Sequence, residues 1–128
     1  MLNDLYIPLN IANQTPKVDF KTTGELIIAG QSFPEDPIIF YEPVINWIKE
    51  LCENPPKEIT FTLRLEYFNT STSKLVLHML KKLEDARYEK FTDVNIVWYY
   101  NKFDEDMFES GKDYESIIDL PFKLIEYE

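Results

Sequence analysis

Ile59, Phe61, Leu63, Leu65 and Tyr67 alternate with Thr60, Thr62, Arg64 and Glu66, the cleanest period-two run in the chain. Successive strand side chains point to opposite faces, so this run predicts a strand with one buried and one mostly polar face. Val94, Ile96, Trp98 and Tyr100 predict another. Between them Leu75, Val76, Met79, Leu80, Leu83 and Ala86 recur at helical spacing, predicting a helix over 71–88. Tyr41, Val44, Ile45, Ile48, Leu51 and Cys52 form a similar stripe over 41–52. Phe33-Pro34-Glu35-Asp36-Pro37 breaks the chain before that stripe and Asn54-Pro55-Pro56 after it. Pro43 either lies in the helix's first turn or kinks it. A more polar helix follows over 104–118, opening with acids that suit a positive helix end, and 121–127 reads as a last strand. Near the start, Lys17–Phe20 and 25–29 flank Thr22-Thr23-Gly24 as a hairpin, with Leu5–Ile7 as a short edge strand or extended arm.

This order of hairpin, helix, strand, helix, strand, helix, strand implies right-handed parallel crossovers beside an antiparallel portion. The polar face of 59–67 puts the helices mainly on one side of the sheet. The expected fold is a two-layer α/β mixed sheet forming one domain over 1–128. No repeat, low-complexity tract or long linker interrupts it.

Composition sharpens the picture. A chain of 128 residues, 45% hydrophobic and 15% aromatic, can bury one sizeable core and is not disordered. Three glycines leave almost nothing for a Gly-rich phosphate cradle. A net charge of -10 repels nucleic acid and anionic lipid, and leaves a basic or amphipathic protein surface as the better partner. The same charge also serves plain solubility. Cys52 has no second cysteine to pair with and reads as a small core residue. Met1-Leu2-Asn3-Asp4-Leu5 lacks the features of a signal peptide and no stretch could span a bilayer, so a cytoplasmic location without membrane insertion is expected.

Candidate chemistry is sparse. His78 stands alone, which argues against zinc and against a nucleophile–histidine pair. Asp104, Glu105 and Asp106 could offer oxygens to a cation but lack the spacing of a calcium loop, and first-turn acids explain them better. Trp98 and Tyr100 read as core; Val97 and Tyr99, on the other face, lie under the N-terminal arm or at an interface. No cofactor is implied. What remains is Phe68-Asn69-Thr70-Ser71-Thr72-Ser73-Lys74, a polar stretch joining a buried strand to an amphipathic helix. One of these side chains suffices as a helix cap worth about 1 kcal/mol. A helix N-terminus also stabilises a phosphoryl group on a nearby hydroxyl. Spacing leaves both readings open, with capping the simpler.

Taken in order, several segments resemble a known family. They are Thr15-Pro16-Lys17-Val18-Asp19-Phe20, Ser32-Phe33-Pro34-Glu35, Phe40-Tyr41-Glu42-Pro43-Val44-Ile45-Asn46-Trp47, and Leu63-Arg64-Leu65-Glu66-Tyr67-Phe68 running into the polar stretch. Trp98-Tyr99-Tyr100, Asp104-Glu105-Asp106-Met107 and Leu120-Pro121-Phe122 complete the set. The chain resembles the SiaC family of bacterial regulatory phosphoproteins. Phe33 and Thr72 depart from the family's common Tyr and Ser. The resemblance implies a STAS-like fold, akin to anti-sigma-factor antagonists, and a non-enzymatic partner switch. It implies that Thr70 is phosphorylated by a cognate Ser/Thr kinase and released by a metal-dependent protein phosphatase. Asn69, Ser71, Thr72, Ser73 and Lys74 then bind the partner or support the site. The unphosphorylated form is expected to bind and activate a diguanylate cyclase, linking it to cyclic-di-GMP and biofilm control. The competing readings are a constitutive ligand-binding or scaffold module of the same fold, with Thr70 only a helix cap, and an enzyme using the acidic cluster with a metal.

Overall fold

A computed structural model describes residues 1–128. Its elements are β1 (Leu5–Ile7), β2 (Lys17–Phe20), β3 (Glu25–Ser32), α1 (Pro37–Glu53), β4 (Glu58–Phe68), α2 (Thr70–Glu89), β5 (Asp93–Asn101), α3 (Glu105–Ile117) and β6 (Phe122–Tyr127). The six strands form one sheet in sequence order. β1, β2 and β3 pair antiparallel, and β3 through β6 pair parallel. The predicted β4–α2–β5 parallel unit is present. Because each right-handed crossover steps in the same direction, α1, α2 and α3 all land on one face. Aromatic contacts mark that face: Phe20 of β2 meets Trp47 of α1 at 5.3 Å, and Trp98 of β5 meets Tyr114 of α3 at 5.5 Å.

Leu26, Ile28, Ile59, Phe61, Leu63, Val94, Ile96 and Trp98 cover the helix side of the sheet and are buried. α2 lays Val76, Met79, Leu80 and Leu83 on them; Leu75, expected beside these, is only half-buried. Trp98 Nε1 donates to the Met107 carbonyl at 3.0 Å, so the indole's one polar group is satisfied inside the core. Gly111 of α3 lies against the same ring, where an added Cβ would sit 2.5 Å from Trp98 Cδ1. Gly111→Ala should therefore overpack the α3 contact and cost about 1–3 kcal/mol, read as a lower urea midpoint at unchanged slope.

One expectation needs correction, and two open alternatives lose a branch. Tyr67 does not continue the buried face of β4. Gly30 pairs with Leu65 but Gln31 with Tyr67, so Glu66 is skipped in a bulge. The extra residue inverts the alternation. Tyr67 is 51% exposed and packs edge-on to Phe33, whereas Phe68 turns inward toward Trp98. Pro43 is not in the first turn of α1, which begins at Pro37 with Asp36 as its cap. Proline is favoured at a helix start, which lets the break reach further back than the apolar stripe. The N-terminal arm does not cover Val97 and Tyr99; β1 extends the sheet beyond β2 and leaves that face open. There the Arg64 guanidinium lies 5.5 Å from the Tyr99 ring and 4.2 Å from that of Tyr127.

Candidate functional site

The polar stretch after β4 sits at the carboxyl end of the parallel strands, where a strand becomes a helix. Asn69 is the cap: its Oδ1 accepts from Thr72 N at 2.9 Å and its carbonyl from Ser73 N at 2.9 Å. Its own N–H reaches the Ser32 carbonyl at 3.3 Å, which ties the cap to the end of β3.

Thr72 turns into the protein and is fully buried. Its hydroxyl donates to the Ser32 carbonyl at 3.0 Å and lies 3.0 Å from Ser32 Oγ, itself 2.6 Å from the Tyr41 hydroxyl. A hydroxyl has one proton to give, so Thr72 accepts from Ser32, and Ser32 accepts from Tyr41. Burial pushes the Tyr41 hydroxyl up to about 12, which keeps it protonated as the head of this relay. Ser73 donates its hydroxyl to the Thr70 carbonyl at 2.7 Å, and its own carbonyl accepts from Tyr114 at 2.8 Å. Burial raises the Tyr114 hydroxyl well above the ordinary tyrosine value, so it too remains a donor. β3, α1, α2 and α3 are thereby pinned together beneath one turn. Thr72→Val keeps the shape and removes the donor; it should cost about 1–2 kcal/mol in a urea melt, against less than about 0.5 kcal/mol for Thr70→Ala.

None of these bonds uses the Thr70 hydroxyl. Thr70 and Ser71 are exposed in the first turn of α2. Lys74 is also exposed, four residues on and hence on the same side of the helix as Thr70. Capping has thus passed to Asn69, and the rest of the stretch divides into buried tethers and free surface. Thr70 borders a depression of about 440 Å³ lined also by Glu66, Tyr67, Asn69, Asp104, Asp106 and Met107. No lysine or arginine lines it. Asp104 caps α3 by accepting from Met107 N at 3.0 Å, while Glu105 and Asp106 occupy its first turn. His78 lies exposed on α2 and forms no ion pair. A larger hollow of about 560 Å³, between 23–27 and 56–58, lies at the opposite end of the strands; Glu25, Lys57 and Glu58 line it, with no histidine or cysteine.

Ser32, Tyr41 and Tyr114 support this site, a role the sequence reading did not give them. The signal for Ser32 was available: positions 26, 28, 30 and 32 share the core-facing parity of β3, and a serine there demands a buried partner. Tyr41 and Tyr114 look from spacing like ordinary core aromatics.

The same architecture occurs in solved proteins. The crystal structure of apo-SiaC from Pseudomonas aeruginosa superposes with a TM-score of 0.86 at 27% identity, covering 96% of this chain and 98% of that one. A crystal structure of the diguanylate cyclase SiaD in complex with its activator SiaC, from the same organism, gives a TM-score of 0.88 at 27% identity, covering 97% of this chain and 100% of the matched one. An uncharacterized protein of P. aeruginosa strain UCBPP-PA14 is 27% identical over 123 residues, 96% of each chain. Residues 9–127 match the model of the SiaC family of regulatory phosphoproteins. By that match over nearly its whole length, the chain belongs to the SiaC family and is a regulatory protein, not an enzyme.

Proposed function

We propose that this protein is a phosphorylation-gated activator of a diguanylate cyclase, working in the cytoplasm, with Thr70 as its phosphoacceptor. A cognate Ser/Thr kinase passes the γ-phosphoryl group of ATP to Thr70 Oγ1, releasing ADP and the hydroxyl proton. A metal-dependent phosphatase returns it to water as inorganic phosphate. The unmodified form binds and activates the cyclase. The observation that carries this reading is the state of the Thr70 hydroxyl, exposed and, like that of Ser71, uncommitted in a turn whose Asn69, Thr72 and Ser73 side chains are bonded. The α2 N-terminus supports it, because unpaired N–H groups and the positive dipole end favour a phosphoryl group there. The activator named in the SiaD complex supports the choice of output. A constitutive module with Thr70 as a mere cap fits less well, since Asn69 already fills that role.

Intact mass and fragment mapping of protein from its native cell test the reading. A phosphoryl increment on Thr70, absent from Thr70→Ala, is expected. Protein that stays unmodified while the cyclase passes between active and inactive states would overturn it. No helix is long and apolar enough to cross a membrane.

A further inference from the structure

Asn69, Thr70 and Ser71 are all good helix caps by residue type, so local preference does not decide where α2 starts. The decision is made from below. Thr72 is fully buried, and so are Ser32 and Tyr41, the two residues through which its hydroxyl chain runs. The bulge that skips Glu66 brings Ser32 level with Phe68, at the junction of strand and helix. There the Ser32 carbonyl accepts twice, from Asn69 N–H at 3.3 Å and from the Thr72 hydroxyl at 3.0 Å. Two bonds from positions three residues apart, meeting on one carbonyl, leave a single helical phase for the first turn. At about 100° per residue, Thr70 lies about 160° round the axis from Thr72 and points straight out. Ser71 lies about 100° round and points along the surface.

A start one residue later would change which hydroxyl is offered. With Thr70 as the cap, its oxygen would accept from Ser73 N–H and be committed, and the turn would carry Ser71 toward the outward direction. In the observed turn both hydroxyls are exposed and free of intramolecular bonds, so neither property separates them as acceptors. Direction does. We infer that Thr72, anchored through Ser32 to Tyr41, is a positioning residue that holds the cap on Asn69 and thereby selects Thr70 over Ser71 as phosphoacceptor. The inference rests on the reading of Thr70 as a phosphorylated residue and adds what chooses it. Transfer to Ser71 balances in the same way, the γ-phosphoryl of ATP passing to the hydroxyl oxygen with release of ADP and a proton. The anchor therefore acts on the site of modification and leaves the reaction itself unchanged.

The test compares wild type, Thr72→Val, Thr72→Ser and Leu80→Ala, each produced as the full chain in its native cell and mapped by fragment mass. Loss of a buried hydrogen bond shifts a local equilibrium about fivefold or more, so Thr72→Val should lower the Thr70 share by that factor and place phosphoryl on Ser71. Thr72→Ser restores the hydroxyl and should return the label to Thr70. Leu80→Ala weakens the core without touching the anchor and should keep the wild-type distribution. Amide exchange on unmodified, 15N-labelled protein gives a readout that needs no kinase. The amide at position 72, held by Asn69 Oδ1 at 2.9 Å, should lose protection about fivefold or more in Thr72→Val. Label confined to Thr70 in Thr72→Val, or displaced equally by Leu80→Ala, would overturn the inference. Wild-type protein without phosphoryl on Thr70 would instead remove the phosphoacceptor reading. Exchange would then decide the anchor, and unchanged protection at position 72 would overturn it.

Discussion

Phosphorylated Thr70 should lower affinity for the activated cyclase by about 100-fold or more, while Thr70→Ala binds as tightly as the unmodified protein. The unmodified hydroxyl is small, exposed and free of intramolecular bonds, so a partner can cover it at the cost of one water-mediated contact. A phosphoryl group brings nearly two charges and three acceptor oxygens to the same place. In the free protein the α2 N-terminus and Lys74 favour it, and bulk water solvates what they do not reach. Glu66, Asp104 and Asp106 line the depression and push against it, but across solvent, where such repulsion is weak. Covered by a partner, the group loses its water and gains no built set of donors. Burial of incompletely paired charge costs several kcal/mol, and each 1.4 kcal/mol is tenfold. Attraction between the phosphoryl and a basic partner's rim is a surface ion pair worth about 1 kcal/mol at most, so exclusion wins. Thr70→Asp, with one charge and a shorter reach, should fall between. Titration calorimetry of the four forms against the cyclase decides it. Equal affinities would remove Thr70 from the switch, and tighter binding of the phosphorylated form would reverse its sign.

Leu80→Ala should cost about 2–5 kcal/mol of folding stability. Leu80 is fully buried on α2 within the hydrophobic core, so truncation leaves a cavity that its packed neighbours cannot fully close. Against a net stability of about 5–15 kcal/mol for a domain of this kind, that is a large fraction. Urea melts followed by tryptophan fluorescence should show the midpoint falling at constant slope. A loss below about 0.5 kcal/mol would mean that Leu80 does not sit where the core packing puts it. The contrast with Thr70→Ala matters: one residue of α2 carries stability and the other is free for regulation.

Much of this was legible in the sequence because two periods are hard to confuse. Alternation over 59–65 and the α2 stripe fixed the central parallel unit, and the one-sided polarity of β4 put the helices on one face. Tyr67 was misplaced because a bulge adds a residue without any change in composition to announce it. The start of α1 was missed because Ile38 and Ile39 are exposed and contribute nothing to a buried stripe. At the site, the turn and its polar excess were visible, and so was the candidate hydroxyl. Which of Asn69, Thr70, Ser71, Thr72 and Ser73 caps, which is buried and which is free was not, since all five can make the same local bonds. The answer depends on Ser32 and Tyr114, forty or so residues away in either direction.

Strand order that equals sequence order has a kinetic side. Every hydrogen-bonded ladder joins strands that are consecutive in the chain, so no ladder must open to admit a later arrival. A chain emerging from the ribosome can zip β1 to β2, then β3, and thereafter add one helix and one strand at a time. Each addition closes only the loop of its own crossover, which keeps the entropy of closure low at every step. The last unit to arrive, α3 with β6, brings Gly111 against Trp98 and Tyr114 under Ser73. The final contact beneath the Thr70 turn and the completion of the sheet are therefore the same event, and a chain lacking its last segment leaves both unfinished.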